Sequence, residues 1–419
     1  MGTTKRKLHF AWLVLIGLCI MVGLGKGINN AAGLFLTPVS KDIGVGMGNL
    51  TLYLSVSAIV TMIFLPIGGK LMNKFDTKLL LTAAIILQAG SYAVFGLMNS
   101  VWGWYIFAIP LAVGGVFITV IAGPVLINQW FKKRNGLALG IMGASVGLLG
   151  VIIQPVIGQL ISSQGWRASY IIVGLGIIVI VVPIILFLLR KDPKSIGMLP
   201  YGADEKKDAN NIEIGAEDRG ISFADAKKSA AFFALIIFFF MITSFSSFAI
   251  HIPTYLINQG FDVGFAGNVM AAQMVGLFIG SLAFGYLTDK IGAKKTTLLA
   301  MIIGLISIVL LLFFAKNAIV IAIAVGLFGL VTASIGTLAP AITTELFGNR
   351  DYSQIYSTVS MGLAVASIVA LPVYGYVFDL TGGYTAALYT IIVLLLISIA
   401  CIIIGFRSKA KMVQKGLWR

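Results

Sequence analysis

Lys26 is the only cation inside an apolar run, in the segment Gly23-Leu-Gly25-Lys26-Gly27-Ile28-Asn29-Asn30. An ammonium at the centre of a bilayer costs about 2.5–3.5 kcal/mol even on lenient insertion scales, so it belongs on a face turned to protein or water. None of the fifteen acids shares that depth; all fall in loops or at the ends of apolar runs. The counter-charge must then come from outside, and a carboxylate bound at the amine is the simplest chemistry. The same amine can also take up or release a proton. Asn29 and Asn30 lie three and four residues on, on the same face of a helix, where their amides can hold a carboxylate or hydroxyl oxygen. Gln154, Gln273 and Tyr356, with Tyr53 and Ser360, are further polar groups at membrane depth. His251 is the sole histidine away from the N-terminus, and its imidazole suits proton transfer. Lys26 and His251 are thus the candidates for proton coupling. Each residue has a structural alternative: membrane asparagines bond between helices, and a buried histidine can be a strut. Gly-Leu-Gly25-Lys26-Gly27 lacks the earlier glycine and following Ser/Thr of a phosphate loop.

A second constellation occurs twice, 216 residues apart. Gly69-Lys-Leu-Met-Asn73-Lys74-Phe-Asp76-Thr-Lys78 joins one pair of apolar runs, and Gly285-Tyr-Leu-Thr-Asp289-Lys290-Ile-Gly292-Ala-Lys294 joins another. Gly44 and Gly260, Phe131 and Phe347, and Arg134 and Arg350 keep the same offset; Pro155 and Pro372, and Gly158 and Gly375, follow at 217. Two similar halves in a membrane chain predict a carrier whose substrate sits between repeats that move against each other.

Composition fixes the elements that must hold these groups. The chain is 59% hydrophobic and 11% charged, against about 25% charged in soluble domains. Charge-free runs such as 170–189 and 384–406 are long enough to cross a hydrocarbon core. Twelve spans are predicted, near 9–37, 50–72, 78–99, 102–130, 135–161, 168–190, 230–257, 262–287, 294–315, 317–346, 352–379 and 384–406. Gly143 and Gly147 read as a small-residue packing pair. Cys19 and Cys401 lie in apolar segments and read as packing residues, with no metal site. Of the 30 Lys and Arg, 26 fall on one face and only Lys41, Arg167 and Lys316 on the other. That bias predicts a cytoplasmic cation-rich face with both termini on it, and explains the net charge of +15 without nucleic acid. The mixed-charge segment 191–229 predicts a partly disordered cytoplasmic connector. The domains expected are a six-helix bundle at 1–190, the connector, a second bundle at 230–406, and a basic tail at 407–419.

The repeated loop resembles the signature between helices 2 and 3, and 8 and 9, of the major facilitator superfamily, and the resemblance covers essentially the whole chain. It implies an all-α membrane protein of two pseudo-symmetric six-helix bundles. It also implies a cytoplasmic gate carried here by Gly69, Asn73, Lys74, Asp76, Gly285, Asp289, Lys290, Gly292, Arg134 and Arg350. The first copy departs from the pattern, with Asn73 in place of the acid and Asp76 in place of the second glycine. The segment from Trp130 to Ala144 resembles the helix 4–5 signature of monocarboxylate transporters and of oxalate–formate exchangers. Phe131, Lys133, Arg134, Leu137, Ala138, Gly140 and Ala144 match it; Trp130, Asn135, Met142 and Ser145 do not. The substrate-binding arginine that those carriers have eight residues before the loop aspartate is here Ser281, and 262–287 holds no basic residue. Any positive charge for an anion must then come from Lys26.

The expectation is a secondary active transporter of small organic anions, monocarboxylates such as lactate or pyruvate, in the cell membrane. It would be coupled to protons or to anion exchange, need no cofactor, and act as a monomer. The competing expectation is an exporter of neutral or amphiphilic compounds. The glycine pattern of such exporters is broken in helix 5, where Gln154-Pro155 and Gly158-Gln159 stand. A receptor signalling through 191–229 is a third reading. An enzyme is disfavoured, because no metal-ligand cluster, paired carboxylates or nucleophile–base set lies at membrane depth.

Overall fold

A computed structural model describes residues 9–202 and 220–418, apart from the side chains of Asn73, Ser195 and Ser353. The connector expected to be partly disordered, 191–229, is described over 191–202 and 220–229, with short helices at Pro193–Ile196 and Phe223–Ala226; 203–219 lie outside the described residues.

Backbone in hydrocarbon must satisfy its own hydrogen bonds, so long charge-free runs become helices. α1 spans Phe10–Ile43 and is broken at Ala31 into Phe10–Asn30 and Ala32–Ile43. It passes Pro38 and ends at Gly44, whose left-handed φ of 66° closes it. α2 (Met47–Lys74), α3 (Thr77–Phe95) and α4 (Val101–Trp130) follow. Asn135–Phe187 is one stretch of 53 residues, but Gly165 at φ 78°, ψ 165° divides it. Only glycine takes that conformation readily, so the stretch is two spans, α5 (135–164) and α6 (166–187). The second repeat gives α7 (Ala230–Asn258), α8 (Val263–Ile291), α9 (Ala293–Phe313), α10 (Ala318–Phe347), α11 (Gln354–Thr381) and α12 (Thr385–Gln414). The protein is therefore an all-α membrane protein of twelve spans. α12 runs on into the basic tail, which is helical to Gln414.

These helices pack as two compact units. Unit 1 holds residues 1–30, 59–150 and 167–212; unit 2 holds 31–58, 151–166 and 213–419. The units cut across the sequence repeat, because the far ends of α1, α2 and α5 pack with α7, α8 and α11. In unit 2, α8 and α10 meet backbone to backbone: a β-carbon on Gly276 would stand 1.9 Å from the Gly326 carbonyl oxygen. Small residues allow that approach, which is how membrane helices gain contact without a hydrophobic drive. Gly143 has nothing within 4 Å of where a β-carbon would lie, so the predicted Gly143–Gly147 pair does not make the close contact of α5. Gly158 makes it, against Gly267 of α8, with 3.0 Å from a β-carbon position to the partner Cα.

The described ends of the connector dock on repeat-equivalent loops. Tyr201 N–H donates to Trp130 O (2.8 Å) in unit 1, and Ile221 N–H donates to Phe347 O (2.9 Å) in unit 2.

Candidate functional site

Lys26 is the seventeenth of the 34 residues of α1 and lies one turn before the break at Ala31. It is exposed, as is Asn29, while Gly25, Gly27 and Ile28 are buried. Lys26 and Asn29 thus form an accessible polar strip on an otherwise apolar helix. Among the described residues no acid forms an ion pair with Lys26 and no hydrogen bond engages it. Asn30 does have a partner. Two to four turns from Lys26 along α1, Cys19, Ile16 and Trp12 line a groove of about 410 Å³ with Ile141, Ser145 and Leu148 of α5. Its walls are almost wholly apolar, and Ser145 donates to the Cys19 carbonyl at 3.2 Å across it.

The backbone beside Lys26 is pinned from behind. Gln88 of α3 donates from Nε2 to the Gly25 carbonyl at 2.9 Å, while its Oε1 is buried without a partner. On the other flank α4 is π-helical over Val116–Ile121, and a β-carbon on Gly25 would fall 2.7 Å from Ile118 Cγ2. A π-turn adds a residue to the helix and tends to occur where function demands an altered register. Sequence reasoning missed both features. Gln88 interrupts the apolar run of α3 as Gln154 interrupts that of α5, and that signal was available. The π-turn has no sequence signature here.

The remaining predicted groups fall in unit 2. Gln154 is fully buried, with neither amide atom hydrogen-bonded, and Gln273 is 3% exposed with its Oε1 unpaired. Tyr356 is half-buried and stacks on Tyr352, with centroids 5.5 Å apart. Ser360 Oγ is buried without a partner; Tyr53 is 4% exposed and has one. His251 is completely buried, with Nε2 2.9 Å from the Leu371 carbonyl and Nδ1 2.7 Å from the Tyr384 hydroxyl. A carbonyl only accepts, so Nε2 carries the proton; in the neutral ring Nδ1 then accepts from tyrosine. Both nitrogens are engaged, which is the geometry of a strut. Ser281 donates back to the Phe278 carbonyl (2.8 Å).

The gate motif divides between the units. In unit 1, Asp76 is the N-cap of α3 and accepts from Leu79 N–H at 3.0 Å. Its carboxylate satisfies a helix end, which is why an acid can stand where the second copy has Gly292. Lys74 is 5.8 Å from the Phe75 ring centroid, and Arg134 is exposed with a left-handed φ of 62°. Gly69 has open space around it, and the Asn73 side chain lies outside the described residues. In unit 2, Gly292 takes φ 84° and the α9 N-terminus is served by Glu345, which accepts from Ala293 N–H at 2.7 Å. Lys290 lies 5.7 Å from the Tyr286 ring and Gly285 has open space around it. Asp289 and Arg350 are exposed and, among the described residues, do not pair with each other. The described residues hold no group of His, Cys, Asp and Glu able to bind a metal ion.

Twelve apolar spans built on a twofold sequence repeat define a multi-pass membrane protein. A sequence model of the Major Facilitator Superfamily matches residues 12–267 and 258–417, and the chain belongs to that superfamily. It is a transporter rather than an enzyme. The chain is similar to the oxalate:formate antiporter of Oxalobacter formigenes, 23% identical over 376 residues, spanning 88% of this chain and 85% of that one. It is similar also to monocarboxylate transporter 12 of Homo sapiens, 22% identical over 403 residues, spanning 90% and 77%. The same fold is seen in the nucleoside transporter NupG, with a TM-score of 0.70 at 11% identity over 95% of this chain and 98% of that one. A bacterial homolog of the human lysosomal transporter Spinster, inward-facing and unoccupied, gives a TM-score of 0.66 at 15% identity over 98% and 96%.

Proposed function

We infer that this transporter carries small organic anions, most simply monocarboxylates, and that Lys26 is the group that binds their carboxylate. One observation carries the reading: an exposed ammonium halfway along α1 for which the described residues supply no acid. Asn29 and Asn30 assist from the next turn, and Gln88 and the π-turn of α4 hold the α1 backbone in place. The printed names of two relatives, an oxalate:formate antiporter and a monocarboxylate transporter, support the substrate class. A single amine permits either coupling. It can release its proton when the cargo leaves, or stay charged and require a second anion for the return. With both nitrogens of His251 held, Lys26 is the better proton carrier. The cell membrane, with both termini in the cytoplasm, is the placement that the cation bias supports.

The test is uptake of labelled lactate, formate and oxalate into proteoliposomes. Lys26→Gln should raise the KM or abolish uptake, by about ten- to hundred-fold for loss of a charge-assisted bond, at unchanged melting temperature. Lys26→Arg should retain part of it. Full uptake by Lys26→Gln would overturn the assignment. Dependence on an imposed pH gradient, or on anion inside the vesicle, separates the two couplings. The apolar groove between α1 and α5 favours a second reading, export of amphiphilic compounds; drug tolerance conferred on an expressing strain, unaffected by Lys26→Gln, would select it.

A further inference from the structure

α2 begins without a cap of its own. Its first residues are Met47 and Gly48, and the preceding Gly46 has no side chain to accept their N–H groups. The repeat mate of Gly46, at the offset of 216, is Asp262. That residue does cap its own helix, accepting from Phe265 N–H at 2.8 Å at the start of α8. At α2 the acceptor is Asp379, near the end of α11. One carboxylate oxygen takes the Met47 N–H and the other takes the Gly48 N–H, each at 2.8 Å. The partners come from different repeats, 332 and 331 residues apart, and both lie in unit 2.

The surfaces around this bond are in close contact. A β-carbon on Gly46 would stand 2.7 Å from an Asp379 oxygen, and one on Gly375 would stand 2.8 Å from the Gly48 backbone. Tyr376 donates its hydroxyl to Asn49 Oδ1 at 3.0 Å, and deeper along the same pair of helices Ser55 Oγ donates to the Ile368 carbonyl at 2.5 Å.

We propose that Asp379 is a reversible latch, which ties the start of α2 to the end of α11 and must release and re-form in each transport cycle. A helix with its own cap, such as α8, keeps its terminal N–H groups satisfied whatever its neighbours do. α2 has them satisfied by protein only while α11 is against it. Asp379 is exposed, so water replaces both partners when the helices part, and no bare polar group is left behind. The carboxylate also meets the positive end of the α2 dipole. Two charge-assisted bonds at a wet site bias an equilibrium by about five- to thirty-fold, enough to hold the joint and too little to trap it.

The experiment places spin labels at Lys41→Cys and Leu380→Cys in a background of Cys19→Ala and Cys401→Ala. Distances are read by electron–electron resonance on the full chain in lipid nanodiscs, without substrate. Asp379→Ala should raise the ratio of long to short distances by about five- to thirty-fold. Gly375→Ala keeps the carboxylate but wedges α11 away from Gly48, and should shift the distribution in the same direction. A folded Asp379→Ala protein with the parental distribution overturns the latch. Should that variant fail to fold, an unshifted Gly375→Ala distribution overturns it instead. Because no cargo is present, the outcome is independent of the anion reading.

Discussion

Replacing Gln154 by leucine should stabilise the substrate-free protein and slow its turnover. Gln154 is fully buried at the contact of α5 with α8, and neither its Nε2 nor its Oε1 has a partner. Its own carbonyl oxygen lies 2.8 Å from where a β-carbon of Gly267 would be, so the backbones already touch and cannot settle closer. A buried donor or acceptor left unmade costs about 1–3 kcal/mol, and exchanging it for an apolar group of the same shape removes that penalty. Two such atoms give about 2–4 kcal/mol once the imperfect shape match of leucine is set against them. For a unit of this size one kcal/mol moves Tm by about 2–4 °C, so a rise of at least about 4 °C is expected. If this joint parts during transport, the amide is hydrated when open and starved when closed. Leucine reverses that preference, and maximal uptake should fall at least roughly tenfold. Thermal unfolding in detergent and initial uptake rates in proteoliposomes measure the two effects. A lower or unchanged Tm would refute the unpaired amide as a source of strain. A raised Tm with undiminished turnover would show that α5 and α8 stay together throughout the cycle.

His251→Phe removes two buried hydrogen bonds, to the Tyr384 hydroxyl and the Leu371 carbonyl, in the core of unit 2. A loss of about 2–4 kcal/mol is expected, read as a lower Tm, while the pH profile of uptake by the surviving protein stays that of the parent. Gly276→Val drives α8 from α10, because a β-carbon there would lie 1.9 Å from the Gly326 carbonyl. Monodisperse protein should be lost on gel filtration, whereas Gly285→Ala, which faces open space, should behave as the parent.

The number and placement of the spans were legible because hydrocarbon forces charge-free segments to close their own hydrogen bonds. A single signal, long runs without charge, therefore carried most of the fold. Lys26 was legible for the related reason that a cation in such a run is expensive. The break at Ala31 was not, since the glycines that flank it, Gly27 and Gly33, resemble the many other glycines inside these spans. Nor was the role of Asp76. A motif gives residue types, and the carboxylate proved to be spent on Leu79 N–H, a bond set by local backbone geometry. The amides show the limit most clearly. Gln88, Gln154 and Gln273 look alike in sequence, yet one holds the backbone beside Lys26 while Gln154 holds nothing. Only packing distinguishes them.

The repeat is most informative where it fails. At the offset of 216 the mate of Lys26 is Ile242, a buried residue of α7 at 2% exposure, and the mate of Gln88 is Gly304. Duplication has kept the scaffold, the turn glycines and the loop cations, and has left the mid-membrane charge in one copy. Caps show the same asymmetry in exchange: α8 and α3 cap themselves with Asp262 and Asp76, while their mates α2 and α9 borrow Asp379 and Glu345 from other helices. A helix end that borrows its cap reports on its neighbour, and one that owns its cap does not. Introducing an aspartate at Gly46 should therefore uncouple α2 from α11 by three routes: its β-carbon crowds Asp379, its side chain supplies a local acceptor, and a second carboxylate stands against the first. Its effect on the labelled distance should exceed that of Asp379→Ala, which removes the hydrogen bonds alone; a smaller effect would refute the borrowed cap as what couples the two helices.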